Sequence, residues 1–496
     1  MVSSCRPYTD YTYERYNGTV GRQVGRKAGR LRNLLVLSGA AMAVFQAGPQ
    51  IVDALDAALY SAKLSWLLPV PYFVLQDVGS RALLTPELAI DPEWVSSYAP
   101  TLSGKRIIYT ITTRGSQLTT LEESVRSALY WLDEVKDRYY LGFVSEVWVV
   151  TEKDSVDKHP NFYSLLEMAG ARVIAVPGWY VTPNRTSFKA RALQYACEVR
   201  IAEGIDTPSD WVYHQDTETV VGEDTVLGNL DFVLRSDSTR LLGIGIILYP
   251  QDWAYRFNSV EETARSSGDV AALGQMKLWG TSPFGYHGSH FLVRADVENS
   301  VGWDFGMVRS EDLIFGIKLQ DRYGPVIRNM KGFAYEKPPL SFRDQLKQRR
   351  RWITGSIEAL RRRDIRRRRK LSILYGTASW LSALPSLAVA ILSLVHPTGG
   401  FIPYLGGAIT ALMWWSMYSG YRVGYELHMP YIDGAKGRWD SVRLAYSALL
   451  GLLVDAVAPW YAVVSKTNGY EEIAKDRSLE VTPTLDAAPR STLGRS

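Results

Sequence analysis

Cysteine is nearly missing from this chain: two residues, Cys5 and Cys197, among 496. Two are too few for a disulfide framework or a cysteine-based zinc site. Histidine is also scarce, with six residues. No apolar run precedes Leu34, so the first residues do not read as a secretory signal. No internal repeat or low-complexity tract is present. The basic runs lack a surrounding recognition module, which argues against nucleic acid as a partner.

What is present is unevenly placed. The hydrophobic fraction, 46%, is ordinary, and 496 residues leave room for an enzyme-sized domain plus a second region. The net charge of +5 gathers in residues 1–32 and in the run Arg343–Lys370. Basic residues beside apolar segments mark the cytosolic edge of a membrane. Residues 1–32 therefore read as a basic cytosolic tail. The stretches Leu34–Val52 and Ala57–Val78 are long enough to cross a bilayer, the second interrupted by Pro69 and Pro71. The turn between them carries Asp53 and Asp56 without Lys or Arg and faces outward. Residues 33–80 are thus expected as two transmembrane helices. The competing reading is two buried helices of a soluble domain.

Residues 342–370 read as amphipathic interfacial helices, with Trp352, Ile353, Ile357 and Leu360 among the cations. Apolar stretches recur at Leu371–Val395, Phe401–Tyr418 and Leu444–Val464, giving a transmembrane region over 371–465. The last of them holds Asp455 and Pro459. A charge in hydrocarbon costs a few kcal/mol and proline breaks the helical ladder, so this stretch is expected to re-enter or lie at the interface. The expectation is an integral, multi-pass membrane protein with the bilayer as partner and its main domain in the cytosol.

That domain, residues 100–341, reads as α/β. Strand-like runs at Arg106–Thr112, Glu146–Val150, Arg172–Val176, Trp211–His214 and Leu242–Tyr249 alternate with helical patterns such as Thr120–Arg138 and Phe188–Ala202. Such alternation gives a largely parallel sheet covered by helices, with ligands beyond the carboxyl ends of the strands.

Three motifs carry chemistry. Asp216-Thr217-Glu218 follows an apolar run, so its acids sit at a strand end. Two carboxylates there can hold one hard cation, with diphosphate oxygens completing the shell. Alone, D-x-E is as often a solvated turn. Glu311-Asp312 opens a helix, where a carboxylate can deprotonate a hydroxyl, although acids at a helix N-terminus need no function. Gln348-Arg349-Arg350-Arg351-Trp352 places cations beside an aromatic, suited to a diphosphate or a sugar path, and equally to a membrane-surface helix. His287 and His290 lie three apart on a strand-like run, on opposite faces of an ideal strand. A hydrogen-bonding role fits them better than a shared metal.

The order of these motifs, followed by apolar stretches, resembles the family 2 inverting glycosyltransferases, the group of cellulose, chitin and hyaluronan synthases. The resemblance spans roughly residues 100–475. Ser187–Leu193 is similar to the family's K-A-x-x-L segment, Tyr286–His290 to its acceptor-side strand, and Lys466–Tyr470 with Lys475 to its terminal gating segment. Thr112-Thr113-Arg114-Gly115 and the G-S-H segment look most like egghead-type β-1,4-mannosyltransferases. Two departures stand out: Glu218 replaces the usual second Asp, and Val149–Asp154 replaces D-D-G-S.

The resemblance implies a GT-A nucleotide-sugar-binding fold and hexosyl transfer to a glycan or glycolipid, once or processively. Asp216 with Glu218 would hold Mn2+ or Mg2+. Thr112, Arg114, Glu152, Asp154, Lys189, Asp216 and Arg351 would bind a GDP-mannose or UDP-sugar donor, with Glu152 favoured over Asp154 for the base or ribose. Asp312, assisted by Glu311, would be the base. Gly288, Ser289, His290, Gln348 and Trp352 would meet the acceptor, with Trp303 and Trp352 stacking on sugar. Tyr470 and Lys475 would gate. A membrane-anchored binding protein with a degenerate domain and a transporter remain as other readings. The acids lie outside the apolar stretches, which argues against transport.

Overall fold

The computed structural model describes residues 7–25, 54, 68, 70–250, 257–280, 287–388, 422–431, 453–465 and 473. Eight strands form one sheet in the order β3-β2-β1-β4-β7-β6-β8-β5. β1 (Arg106–Thr112) pairs in parallel with β2 (Val144–Glu152) and with β4 (Asp210–Asp216), and β2 pairs with β3 (Ala171–Val176). The middles of β1 and β4 are buried. Both strands are covered on both faces, with β1 a mostly apolar run and β4 reading Trp211, Val212 and Tyr213 followed by the buried polar His214 and Gln215. The register aligns Thr112 with Val150 and with Asp216, so the carboxyl ends of β1, β2 and β4 form one rim.

Beyond β4 the sheet is mixed. β7 (Phe291–Arg294) runs antiparallel between β4 and β6 (Leu242–Leu248). β8 (Ile327–Glu336) is parallel to β6, and β5 (Thr219–Val221) lies antiparallel at the edge. The largely parallel expectation holds for β1 to β4 and breaks at β7 and β5.

The sheet is flanked by helices numbered in chain order: α1 (Tyr13–Gly25), α2 (Val70–Leu83), α3 (Leu118–Tyr139), α4 (Phe188–Ala202), α5 (Glu223–Leu234), α6 (Phe257–Trp279), α7 (Ala295–Val301), α8 (Glu311–Tyr323), α9 (Phe342–Arg361) and α10 (Arg367–Leu381). α3 shows why such segments fold as helices. Leu121, Val125, Ala128, Leu132 and Val135 recur at helical spacing and are buried, and the helix ends at Tyr140 in the left-handed region, φ 55.

The basic segment 1–32 is more than a tail. Within it, Tyr11, Tyr16 and Val20 are buried on the sheet domain. Tyr11 stacks on Tyr335 with ring centroids 3.7 Å apart, the Asn17 side chain exchanges two 2.8 Å hydrogen bonds with the Ile90 backbone, and Tyr13 N donates to Glu223. Residues 422–431 dock on the same domain, where Tyr249 N donates to His428 Nε2 at 2.7 Å and Gln23 Nε2 donates to Glu426 at 3.1 Å.

Among the described residues, no helix is long and apolar enough to cross a membrane. The stretches Leu34–Val52 and Phe401–Tyr418 lie outside the described residues, as do most of Ala57–Val78 and the first half of Leu444–Val464. Residues 453–464 are helical and pack against α9. Arg349 Nε lies 3.4 Å from Asp455, Arg350 Nη1 donates to Ser465 Oγ at 2.8 Å, and Arg350 lies over the Tyr461 ring. The charge that makes this stretch a poor span thus has a cationic partner.

Candidate active site

At the rim of β1, β2 and β4, four elements converge on one ammonium group. Lys189, in the first turn of α4, forms an ion pair with Asp216 at the end of β4. Its Nζ also donates to the Gly288 carbonyl at 2.9 Å. Glu311 and Asp312, in the first turn of α8, act electrostatically on the same ammonium. Burial opposes the charge on Lys189, but the three acids outweigh it and hold the side chain protonated.

Each carboxyl has its own environment. Burial raises Asp216, but Lys189 outweighs that by charge and hydrogen bond, with Arg351 and Arg265 behind it. The result is a carboxylate below its ordinary range. Burial and the neighbouring Asp312 charge push Glu311 up to about 7. Burial also raises Asp312, opposed by the Leu313 N–H at 2.8 Å and by the charges of Lys189, His287 and Arg351. One anchor is therefore firmly ionised, beside a carboxyl pair poised for proton transfer.

Gly288 lies directly against Asp312. A Cβ there would come within 3.2 Å of Asp312 Oδ2, so a side chain would crowd that carboxylate. α9 closes the other side of α8. Arg309 N donates to Glu358 at 3.1 Å, and a Cβ on Gly355 would fall 1.8 Å from Ser310 Oγ, the residue preceding α8. Arg351 acts by its charge on Asp216, Glu311 and Asp312, while Arg349 and Arg350 reach the segment over 453–465.

The remaining expected residues divide. Thr112 lies at the rim, its carbonyl accepting from Thr217 Oγ1 at 3.1 Å. Arg114 and Asp154 are exposed, and Glu152 is paired with Arg191, which also donates to the Pro177 and Tyr180 carbonyls. Glu218 is half-buried in the turn after β4. Trp352 is partly exposed between Arg265 and Arg349, 5.0 and 4.6 Å from its ring centre. Gln348 is buried and accepts from Arg349 Nη1 at 2.8 Å, which leaves it no open face for an acceptor. Tyr470 and Lys475 lie outside the described residues. Between them, Ile473 is buried, and its carbonyl accepts from Gln117 Nε2 at 3.2 Å, beside the loop after β1.

Three expected sugar contacts need correcting. Ser289 and His290 are buried under the rim instead of facing an acceptor. Ser289 Oγ accepts from Asp216 N at 3.2 Å, while His290, in the left-handed region at φ 53, bonds the Tyr213 hydroxyl at 2.8 Å. They shape the loop before β7 from below, because β7 begins only at Phe291. Trp303 is also buried, stacked on Phe315 at 4.2 Å with its Nε1 donating to Glu298 at 2.7 Å, so it has no free face for a sugar.

Beneath the site lies a cluster that the sequence did not reveal. Glu298 accepts from Arg200 at 2.8 Å and sits 3.0 Å from His214 Nε2, all three buried. It joins β4, α4 and α7, which hold Asp216, Lys189 and the approach to α8. A glutamate in a short polar helix gave no signal of this.

A strand-end carboxylate paired with a lysine thus faces an acid pair on a helix N-terminus across a glycine loop. Residues 211–423 match the glycosyl transferase family group 2. Residues 211–423 thus carry a family 2 glycosyltransferase domain on the mixed α/β sheet, and its enzyme class is hexosyltransferase. The chain is 28% identical over 323 residues to the beta-1,4-mannosyltransferase egh of Drosophila melanogaster, a match covering 62% of this chain and 68% of that protein. It is also 28% identical over 263 residues to the beta-1,4-mannosyltransferase bre-3 of Caenorhabditis elegans, covering 52% of this chain and 54% of that one. A solved mannosyltransferase from Pyrobaculum calidifontis, in complex with GDP-Man and Mn2+, aligns with a TM-score of 0.47 at 16% identity over 82% of this chain and 99% of its own.

Proposed function

We propose that this chain is an inverting mannosyltransferase, taking the sugar from GDP-mannose to a hydroxyl of a glycan or glycolipid at a membrane surface. The convergence of Asp216 and the Glu311–Asp312 pair on Lys189 carries this reading. The acceptor hydroxyl loses its proton to Asp312 as its oxygen attacks the anomeric carbon. The bond from that carbon to the diphosphate breaks, and the sugar is inverted in one displacement. Lys189 and Arg351 supply positive charge where the leaving diphosphate gathers negative charge. Relatives named as mannosyltransferases favour mannose over other hexoses.

A divalent cation fits the rim. Asp216 is ionised and about one third exposed, with Glu218 two residues on, and both offer hard oxygen ligands. No group of three metal-binding side chains occurs among the described residues. Asp216 and Glu218 would hold Mn2+ or Mg2+ with the donor's own oxygens. When bound, the cation supplies charge neutralisation at the diphosphate.

The packing supports a cytosolic domain on a membrane. α1, residues 422–431 and Ile473 all rest on the sheet domain. Each intervening apolar region must then cross an even number of times or not at all. Two crossings before residue 80 and two between α10 and residue 422 satisfy this, whereas Leu444–Val464 would remain at the interface. Leu371, Leu374, Val463 and Val464 are exposed on α10 and the helix over 453–464 and offer an apolar face to lipid, next to the cations Arg366–Lys370.

The test is nucleotide release by the purified full chain with GDP-mannose and with UDP-sugars, in Mn2+ or Mg2+. Turnover of GDP-mannose supports the reading. Turnover of UDP-sugars with no GDP-mannose activity overturns the donor, and no turnover with any donor favours a binding protein.

A further inference from the structure

The β4–β7 ladder stops short of Asp216. Its last pair is His214 with Phe291, and the same register would set Asp216 opposite Ser289. His290, left-handed at φ 53, turns the chain out of the strand there, so backbone pairing does not continue. Two buried hydroxyls take its place. Asp216 N donates to Thr219 Oγ1 at 3.1 Å and to Ser289 Oγ at 3.2 Å, and the two hydroxyl oxygens are 2.9 Å apart. Thr219 opens β5 and pairs with Glu336, the last residue of β8. Its Oγ1 donates to the buried Glu336 Oε1 at 3.1 Å. A carboxylate only accepts, so the Thr219 proton points to Glu336, and Ser289 donates to Thr219. Both hydroxyl oxygens then keep a lone pair for the Asp216 N–H.

The same loop holds the other half of the ion pair. The Gly288 carbonyl, one residue before Ser289, accepts from Lys189 Nζ at 2.9 Å. Residues 288 and 289 thus grip Lys189 and Asp216 together. The turn after β4 is tied elsewhere as well. Thr217 Oγ1 donates to the Thr112 carbonyl at 3.1 Å, and Ser124 Oγ donates to the Thr219 carbonyl at 2.6 Å. We propose that Ser289, Thr219 and Glu336 form a positioning chain that fixes the aim of the Asp216 carboxylate, with Glu336 setting the direction of the hydroxyls. The inference rests on the reading of Asp216 as the cation's ligand in the donor site. All three side chains are buried and act through Asp216.

The experiment is calorimetric titration of the full chain with GDP and with UDP, each in Mn2+ and in EDTA, for wild type, T219V, T219S, S289A, E336L, E336Q and D216A. T219V and E336L should weaken nucleotide binding in Mn2+ about tenfold, as losses behind a metal ligand do, and leave binding in EDTA within about twofold. T219S keeps the hydroxyl and E336Q keeps an acceptor, so both should stay within about threefold of wild type in Mn2+. In a D216A background T219V should add nothing, because its effect runs through that carboxylate. A role in folding alone would lower affinity in both conditions together. Equal losses in Mn2+ and EDTA, an unchanged T219V, an E336Q as weak as E336L, or an additive T219V/D216A double variant overturns the proposal. If T219V does not fold, S289A decides by the same comparison, with a loss of about threefold in Mn2+ alone expected and no loss overturning the chain. D216A separates the two levels. If it binds nucleotide in Mn2+ as wild type does, the reading of Asp216 fails; if it is weakened while T219V is not, only this inference fails.

Discussion

Asp312→Asn is the sharpest probe of the site because the substitution keeps shape and removes one charge. The Asn side-chain oxygen can still accept from Leu313 N, now at 2.8 Å, so the first turn of α8 stays in place. What disappears is the base. Loss of a positioned general base costs about 100- to 10,000-fold, or roughly 3–5 kcal/mol of barrier. Donor binding moves the other way if it moves at all. A nucleotide diphosphate is anionic, and D312N removes one negative charge facing Lys189 while the Lys189–Asp216 pair persists. The assay is nucleotide release with acceptor present, paired with calorimetric titration of the nucleotide. Turnover within about fivefold of wild type would refute the assignment. So would a folded variant whose nucleotide affinity falls more than about tenfold, since that would place Asp312 in the donor pocket.

Other outcomes follow from neighbouring features. Asp216→Ala should abolish transfer and weaken nucleotide binding in Mn2+ or Mg2+, with unchanged turnover excluding Asp216 as the cation's ligand. Glu311→Gln should leave the acid limb of the rate profile in place, because Glu311, pushed up to about 7 by burial and the Asp312 charge, is already neutral where Asp312 ionises; a limb that moves to lower pH would reverse that order of the two carboxyls. Glu298→Gln should destabilise the fold by about 3–5 kcal/mol, seen by thermal or denaturant unfolding, because Arg200 is left buried without its partner. Arg200 and His214 hold Glu298 down to about 2 against burial, so its contribution is present above the unfolded value of about 4.3 and fades as pH falls toward 2. A cysteine at Ser478, in a background without Cys5 and Cys197, should react with an impermeant maleimide only from the cytosolic side, and labelling from outside would mean that Leu444–Val464 crosses.

The places of Asp216 and the Glu311–Asp312 pair in the fold were legible because these residues end or open strongly patterned elements. Asp216 closes the apolar run of β4 and Glu311–Asp312 open α8, and strand ends and helix starts can be read locally. Helix Phe188–Ala202 was placed to the residue. β5 and β7 were not legible, since three- and four-residue strands carry too little pattern. Ser289, His290 and Trp303 were misjudged for a different reason. A polar or aromatic side chain near a motif looks available in sequence, and only the packing shows that Tyr213, Asp216 and Glu298 have already engaged them. Asp455 stands out in an apolar stretch of the sequence, but its partner, Arg349, lies in another apolar–basic element far back in the chain.

The docking of α1 has a consequence for how the protein is made. Gln23 reaches Glu426, 403 positions along the chain, and Tyr11 needs Tyr335. At about 5–20 residues per second, the first helix leaves the ribosome on the order of tens of seconds before its surface exists. Through that interval Tyr11, Tyr16 and Val20 have nothing native to cover them. Docking of the opening helix is therefore a late step in assembly. It can close only over a sheet whose eighth strand is already in register, so α1 acts as a clasp on the finished domain.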